Sequence, residues 1–105
     1  MSELLGEITI GNDQIKIWKD CYQDRNRLAI QATVWNNDFK FDEPYATVSS
    51  NFIDATLADD EFILNWWNMT ETTAQAFRDC PLWEDTGRRE RSGHVEAPVM
   101  RLRAA

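Results

Sequence analysis

Residues 15–35, IKIWKDCYQDRNRLAIQATVW, decide the fold. Ile15, Ile17 and Cys21 alternate with Lys16, Trp18, Asp20 and Tyr22. After a polar turn at Asp24-Arg25-Asn26, Leu28, Ile30, Ala32 and Val34 alternate with Ala29, Gln31, Thr33 and Trp35. A period of two puts each set on its own face of a sheet, so both segments read as strands with an aliphatic face and a polar-aromatic one. Upstream, Leu4, Ile8 and Ile10 precede Gly11-Asn12-Asp13, which predicts a hairpin with a Gly-containing three-residue loop. The first third is therefore a three-stranded antiparallel meander.

Downstream, Asn36-Asn37-Asp38 breaks the pattern, Phe39 and Phe41 alternate with Lys40 and Asp42, and residues 45–52 (YATVSSNF) are rich in β-formers behind Pro44, which predicts a fourth strand. Residues 56–61 read as an acidic turn. Residues 62–67 (FILNWW) are a short apolar run whose length does not separate strand from helix; strand is the preferred reading. One helix is expected over residues 70–79. Thr70 caps it, Glu71 lies at the favourable end of its dipole, Met69, Thr73, Ala76, Phe77 and Cys80 share one side, and Cys80-Pro81 ends it. Two more strands, 82–89 and 95–102, flank a Ser92-Gly93 turn, with Pro98 marking an edge or a bulge.

These elements predict a single α+β domain over residues 1–105: an antiparallel sheet, a meander of about five to seven short strands, with one helix packed on it. The length suits one hydrophobic core, and 43% apolar residues, including five Trp and five Phe, suit a folded chain. Cys21 and Cys80 are far apart and in no ligand-like spacing, so both are expected reduced. The first residues, MSELLGEITIG, lack the basic and apolar regions of a signal peptide, and no apolar run approaches the roughly 20 residues of a membrane span. A soluble, cytoplasmic protein is expected, and the Asn68-Met69-Thr70 sequon is read as chance.

The net charge of −7 is unevenly spread: −1 over residues 1–37, −9 over 38–85 and +3 from Thr86 onward. An acidic stretch of this kind repels nucleic acid and draws basic clefts toward it. Strand residues two apart stand roughly 6.6 Å apart and neighbouring strands about 4.8 Å, so sheet carboxylates can imitate a row of phosphates. On charge alone, solubility is the preferred explanation. Arg88, Arg89, Arg91, Arg101 and Arg103 are read as partners of the protein's own carboxylates or of an acidic partner patch.

Catalysis needs a nucleophile beside a base, paired carboxylates in a cleft, or metal ligands. The chain holds one histidine, His94, at the tight turn, and the two cysteines read as small core residues. Asp59-Asp60-Glu61 lacks the Gly and the distant Glu of a calcium loop, and there is no phosphate-cradling glycine loop. No enzyme, cofactor or metal is expected. Trp18, Tyr22 and Trp35 fall on the face opposite the aliphatic one. They form either a cross-strand cluster under the helix or an exposed hot spot.

Residues 83–102, WEDTGRRERSGHVEAPVMRL, with the upstream DEPYATVSSNF, resemble a family of small proteins carried by phages, plasmids and bacterial mobile elements. The shared pattern is an acidic EDTGRR, about two residues, SG, an apolar position and a short apolar strand ending in RL. Here it comprises Glu84, Asp85, Thr86, Gly87, Arg88, Arg89, Ser92, Gly93, Val95, Arg101 and Leu102, with His94 at a position expected to be aromatic or aliphatic. The resemblance carries over no catalytic residue. It implies an anti-CRISPR or antirestriction-like inhibitor that occupies the DNA-binding channel of a CRISPR-Cas surveillance complex, or another DNA-handling defence enzyme, by acidic DNA mimicry. The expected phosphate substitutes are Asp38, Asp42, Glu43, Asp54, Asp59, Asp60, Glu61, Glu84 and Asp85, with Trp67 as an anchor. The expected partner is thus a protein, with no direct contact to nucleic acid or membrane, bound by a monomer or homodimer. The alternative is a structural accessory protein that self-associates through the aromatic sheet face.

Overall fold

A computed structural model describes residues 2–23 and 27–103. The expected Asp24-Arg25-Asn26 turn lies outside them. The chain forms β1 (Glu3–Ile10), β2 (Asp13–Cys21), β3 (Leu28–Asn36), β4 (Phe41–Thr47), β5 (Ser49–Ser50), β6 (Glu61–Leu64), a 3-10 turn (Trp66–Asn68), α1 (Glu71–Arg78), β7 (Trp83–Ser92) and β8 (Val95–Leu102). Antiparallel strands with one helix follow the expected class. The single meander of five to seven strands does not: there are two four-stranded sheets, ordered β1-β2-β3-β4 and β5-β6-β8-β7.

The division falls at Val48. Its N–H donates to the Ile30 carbonyl of the first sheet, while its own carbonyl accepts from Asn65 N–H at the end of β6. The expected fourth strand over 45–52 is therefore two strands in two sheets. The FILNWW segment stays extended only to Leu64, because Trp66 to Asn68 turn to deliver the chain to α1. The β1–β2 loop is one residue shorter than expected. Ile10 pairs with Asp13, and Gly11 takes φ +61°, the first position of a two-residue hairpin turn that L side chains avoid. The Ser92–Val95 hairpin repeats this with Gly93.

The inner face of the first sheet (Ile15, Ile17, Ile30, Ala32) meets Phe62, Leu64, Trp83 and Met100 of the second sheet and Phe77 of α1. Thr70 caps α1, its hydroxyl accepting from Thr73 N–H at 3.2 Å, as the sequence predicts. A second, smaller core covers the other face of the second sheet, where Phe52 and Ala55 lie over Ile63, Ala97 and Val99, with Leu57, Trp67 and Val95 at the margin. The loop over 51–60 is thus a lid on an apolar sheet face. Arg27 fastens it, donating to the Phe52 carbonyl at 2.6 Å and the Ile53 carbonyl at 3.3 Å. Pro98 is buried in an interior strand, and the ladder slips opposite it, between Asp85 and Arg89, so the bulge reading holds and the edge reading does not. Cys80 is a core residue whose thiol burial pushes up, while Cys21 is exposed at the end of β2.

Candidate partner-binding surface

The acidic stretch does not stay together. Asp38 lies in the β3–β4 turn, with Asp42 and Glu43 on β4, an edge of the first sheet. Asp54, Asp59 and Asp60 lie in the loop over the second sheet, and Glu84 and Asp85 on its edge strand β7. Asp38, Asp54, Asp59, Asp60, Glu84 and Asp85 are exposed, Asp42 and Glu43 half-buried.

Glu61 is the exception, only 2% exposed. Both its oxygens accept from Arg88, at 2.9 and 3.0 Å, one also from Arg101 at 3.0 Å, and the other from Ala58 N–H at 2.9 Å. Burial is the largest single influence on its carboxyl and pushes the pKa up. The Ala58 N–H and the two guanidinium groups together outweigh it and hold the carboxyl below the ordinary glutamate value. Such a carboxylate is an internal joint and presents nothing to a partner, so it leaves the set of phosphate substitutes.

The tail arginines are the other half of this arrangement. Besides Arg88 and Arg101 on Glu61, Arg89 pairs with Asp85 at 3.1 Å, Arg91 with Glu96 at 3.2 Å, and Arg101 approaches Asp60 at 3.8 Å. The EDTGRR segment builds this joint. Asp85 accepts from Gly87 N–H and Thr86 donates to the Val99 carbonyl. Gly87 at φ +83° makes the bulge, which lets Arg88 reach both Glu61 and the Thr56 carbonyl. The motif is a clamp on the lid, chemically occupied from within.

The other prominent surface is the outer face of the first sheet. Cross-strand rows set Leu4 beside Trp18 and Gln31, and Trp35 beside Asp42. Trp18 Nε1 donates to Thr33 Oγ1 at 2.8 Å, which fixes its ring. Lys16 Nζ sits 3.3 Å from Asp42 Oδ2 and 5.8 Å from the centre of the Trp35 ring. Neither Trp18 nor Trp35 belongs to the core that contains Phe77, so the aromatic face is not a cluster under the helix. Leu4 and Trp35 are each close to half exposed. Phe41 is exposed to a similar degree but pairs with Asn36, so it points away from this face, and Phe39, in the β3–β4 turn, is 75% exposed. Beyond the expected Trp18 and Trp35, the structure adds Lys16, which alternation places beside Trp18, and Leu4, which the register shift between Leu4 and Gly6 turns out of phase with Ile8 and Ile10 and onto this face. Phe39, in the turn, had no such signal.

Trp67, expected as an anchor, is half-buried, its ring 5.6 Å from that of Phe52 in the second core. His94 is exposed in the β7–β8 turn. Among the described residues no three His, Cys, Asp or Glu side chains gather as a metal-binding group, and no helix is long and apolar enough to cross a membrane. No protein-family model, no curated protein and no solved structure matches this chain.

Proposed function

We propose that the protein is a non-enzymatic inhibitor that binds a basic, DNA-handling partner, of the CRISPR-Cas or restriction type that the mobile-element resemblance implies, and competes with DNA for it. The observation that carries the reading is the fate of the arginines. Four of the five in the tail turn back onto the protein's own carboxylates. The net charge of −7 is then expressed through carboxylates on the surface, Asp38, Asp54, Asp59 and Glu84 among them. A surface of this sign steers toward basic clefts and away from nucleic acid.

The test is a DNA-binding assay of a purified CRISPR surveillance complex, or of a restriction enzyme, with added protein. The variant Asp54→Lys/Asp59→Lys/Glu84→Lys should inhibit at least about tenfold more weakly at 0.1 M salt, since each reversal replaces an attraction by a repulsion within a Debye length of about 10 Å. Its melting temperature should stay close to the parent's, because none of the three is buried. Unaltered inhibition by a folded triple variant, or inhibition indifferent to salt, would sink the reading.

Self-association through the outer aromatic face is favoured by the exposure of Leu4 on β1 and Trp35 on β3, on the same face of the first sheet. It requires a dimer in light scattering that Trp35→Ser abolishes; a monomer at every concentration removes it.

A further inference from the structure

We propose that the groove on the outer face of the first sheet is a receptor for one arginine side chain of a basic protein partner. The groove holds about 290 Å³ and is lined by Ser2, Trp18, Gln31, Thr33 and Asp42. That is just below the roughly 300–1,000 Å³ of pockets for drug-sized ligands and suits a single long side chain.

Three observations choose its occupant. First, among the described residues, Asp42 Oδ1 is buried and has no hydrogen-bond partner, whereas Oδ2 is engaged by Lys16. A buried carboxylate oxygen without a donor is costly, and a guanidinium entering the groove supplies one once the side chains that cover the oxygen swing aside. Second, the protein already holds a cation at this spot. Lys16 lies between the Asp42 carboxylate and the face of Trp35, so a carboxylate and an indole meet the field requirements of a positive group here, and an incoming guanidinium takes this place as the flexible Lys16 side chain turns out to solvent. Third, the walls suit a planar, apolar-stemmed cation. Trp18 offers a ring locked by Thr33, and Gln31, on the same cross-strand row, has an amide with both donor and acceptor character. Arginine fits better than lysine because its guanidinium stacks on indole and is more weakly hydrated, so it loses less on leaving water.

The geometry needs no rearrangement of the sheet. Trp18, Thr33 and Asp42 are fixed on three adjacent strands of one antiparallel ladder, β2, β3 and β4, so the site is held on rigid elements. The groove rests on the reading of the protein as a binder of a basic partner, but not on competition with DNA. A peptide probe separates the two: peptide binding by a protein that inhibits no DNA-handling enzyme would leave the groove standing and remove only the competition.

The experiment is a titration with a blocked arginine-containing peptide, followed through the tryptophan indole N–H signals in two-dimensional NMR, with lysine and citrulline versions as controls. The arginine peptide should move the Trp18 and Trp35 signals while those of Trp66 and Trp83 stay still. The citrulline peptide, isosteric and uncharged, should leave all of them in place, and the lysine peptide should bind more weakly than arginine. Asp42→Asn should weaken arginine binding by about tenfold or more, the loss of one charge-assisted contact, and Trp35→Ser should weaken it as well. The melting temperature of each variant establishes that the fold is retained. Equal binding by citrulline, parent-like affinity of a folded Asp42→Asn variant, or shifts confined to other tryptophans would overturn the proposal. So would Trp18 and Trp35 signals that depend on protein concentration with no peptide present, which would give the face to a second copy of the chain.

Discussion

Replacing Trp83 by alanine is expected to remove about 3–5 kcal/mol of stability, a large share of the roughly 5–15 kcal/mol that a domain of this size commonly has. Trp83 opens β7, is 1% exposed, and stands edge-on to Phe62 with ring centres 5.1 Å apart. Its Nε1 donates at 2.6 Å to the carbonyl of Phe77, in the last turn of α1. One side chain thus joins the second sheet to the helix that lies over the first. Truncation leaves a cavity the size of an indole and deprives the helix end of a donor, and neither loss is easily relaxed in a packed core. Trp83→Phe separates the two contributions: it keeps most of the apolar body and should cost about 1–2 kcal/mol, much of it the hydrogen bond. Trp66→Ala, at a ring that is 38% exposed, should cost about 1 kcal/mol or less. Urea unfolding followed by circular dichroism ranks the three, and a Trp83→Ala protein as stable as Trp66→Ala would refute the assignment of Trp83 as the joint.

The first sheet was legible because its strands alternate strictly. Ile15 and Ile17 are fully buried, and Lys16 and Trp18 face outward, as a period of two demands. The helix was legible from its cap at Thr70 and its stop at Cys80-Pro81. What was not legible is the second sheet, because nothing in YATVSSNF tells a continuous strand from one that changes sheets. The change is made by two backbone hydrogen bonds of Val48, to Ile30 and from Asn65, which are long-range partners with no local signature. Likewise Phe52, read as the end of a strand, leaves the ladder to cover Ile63 and Val99.

The charged surface shows the same limit. Counting acids along residues 38–85 treats Asp59, Asp60 and Glu61 alike. Pairing across β6 and β8 separates them, since Glu61 stands opposite Arg101, on the same face as Ile63 and Val99. A faint sign of this was available, because Glu61 directly precedes the apolar run FIL in a strand where every second residue shares a face. The bulge that brings Arg88 across was not visible, although Gly87 supplies the backbone freedom for it.

That joint yields the second large effect. Glu61→Gln should lower stability by about 2–3 kcal/mol and the melting temperature by roughly 10–20 °C. The substitution keeps size and one carbonyl oxygen but turns an NH2 toward guanidinium groups and removes the charge that holds Arg88 and Arg101 together. The cost falls below that of breaking a fully buried pair, because both arginines remain about 45% exposed and recover part of their hydration. The pH dependence identifies the cause. The folded state holds Glu61 below the ordinary glutamate value of about 4.5, so its contribution is fully present above that pH and disappears as the pH falls through the folded value. The gap between parent and Glu61→Gln should therefore be wide at pH 7 and close progressively below pH 4.5. A gap that stays constant down to full protonation would mean that shape, not charge, sets the cost. In either case the lid is the segment expected to loosen first: amide exchange over residues 54–58 should accelerate, because Arg88 also holds the Thr56 carbonyl at 2.6 Å. Charge reversal at Asp54 or Asp59 touches neither Glu61 nor its arginines in the hydrogen-bonded joint. Loss of inhibition there, with the Glu61 joint intact, would therefore report on the surface and not on the fold.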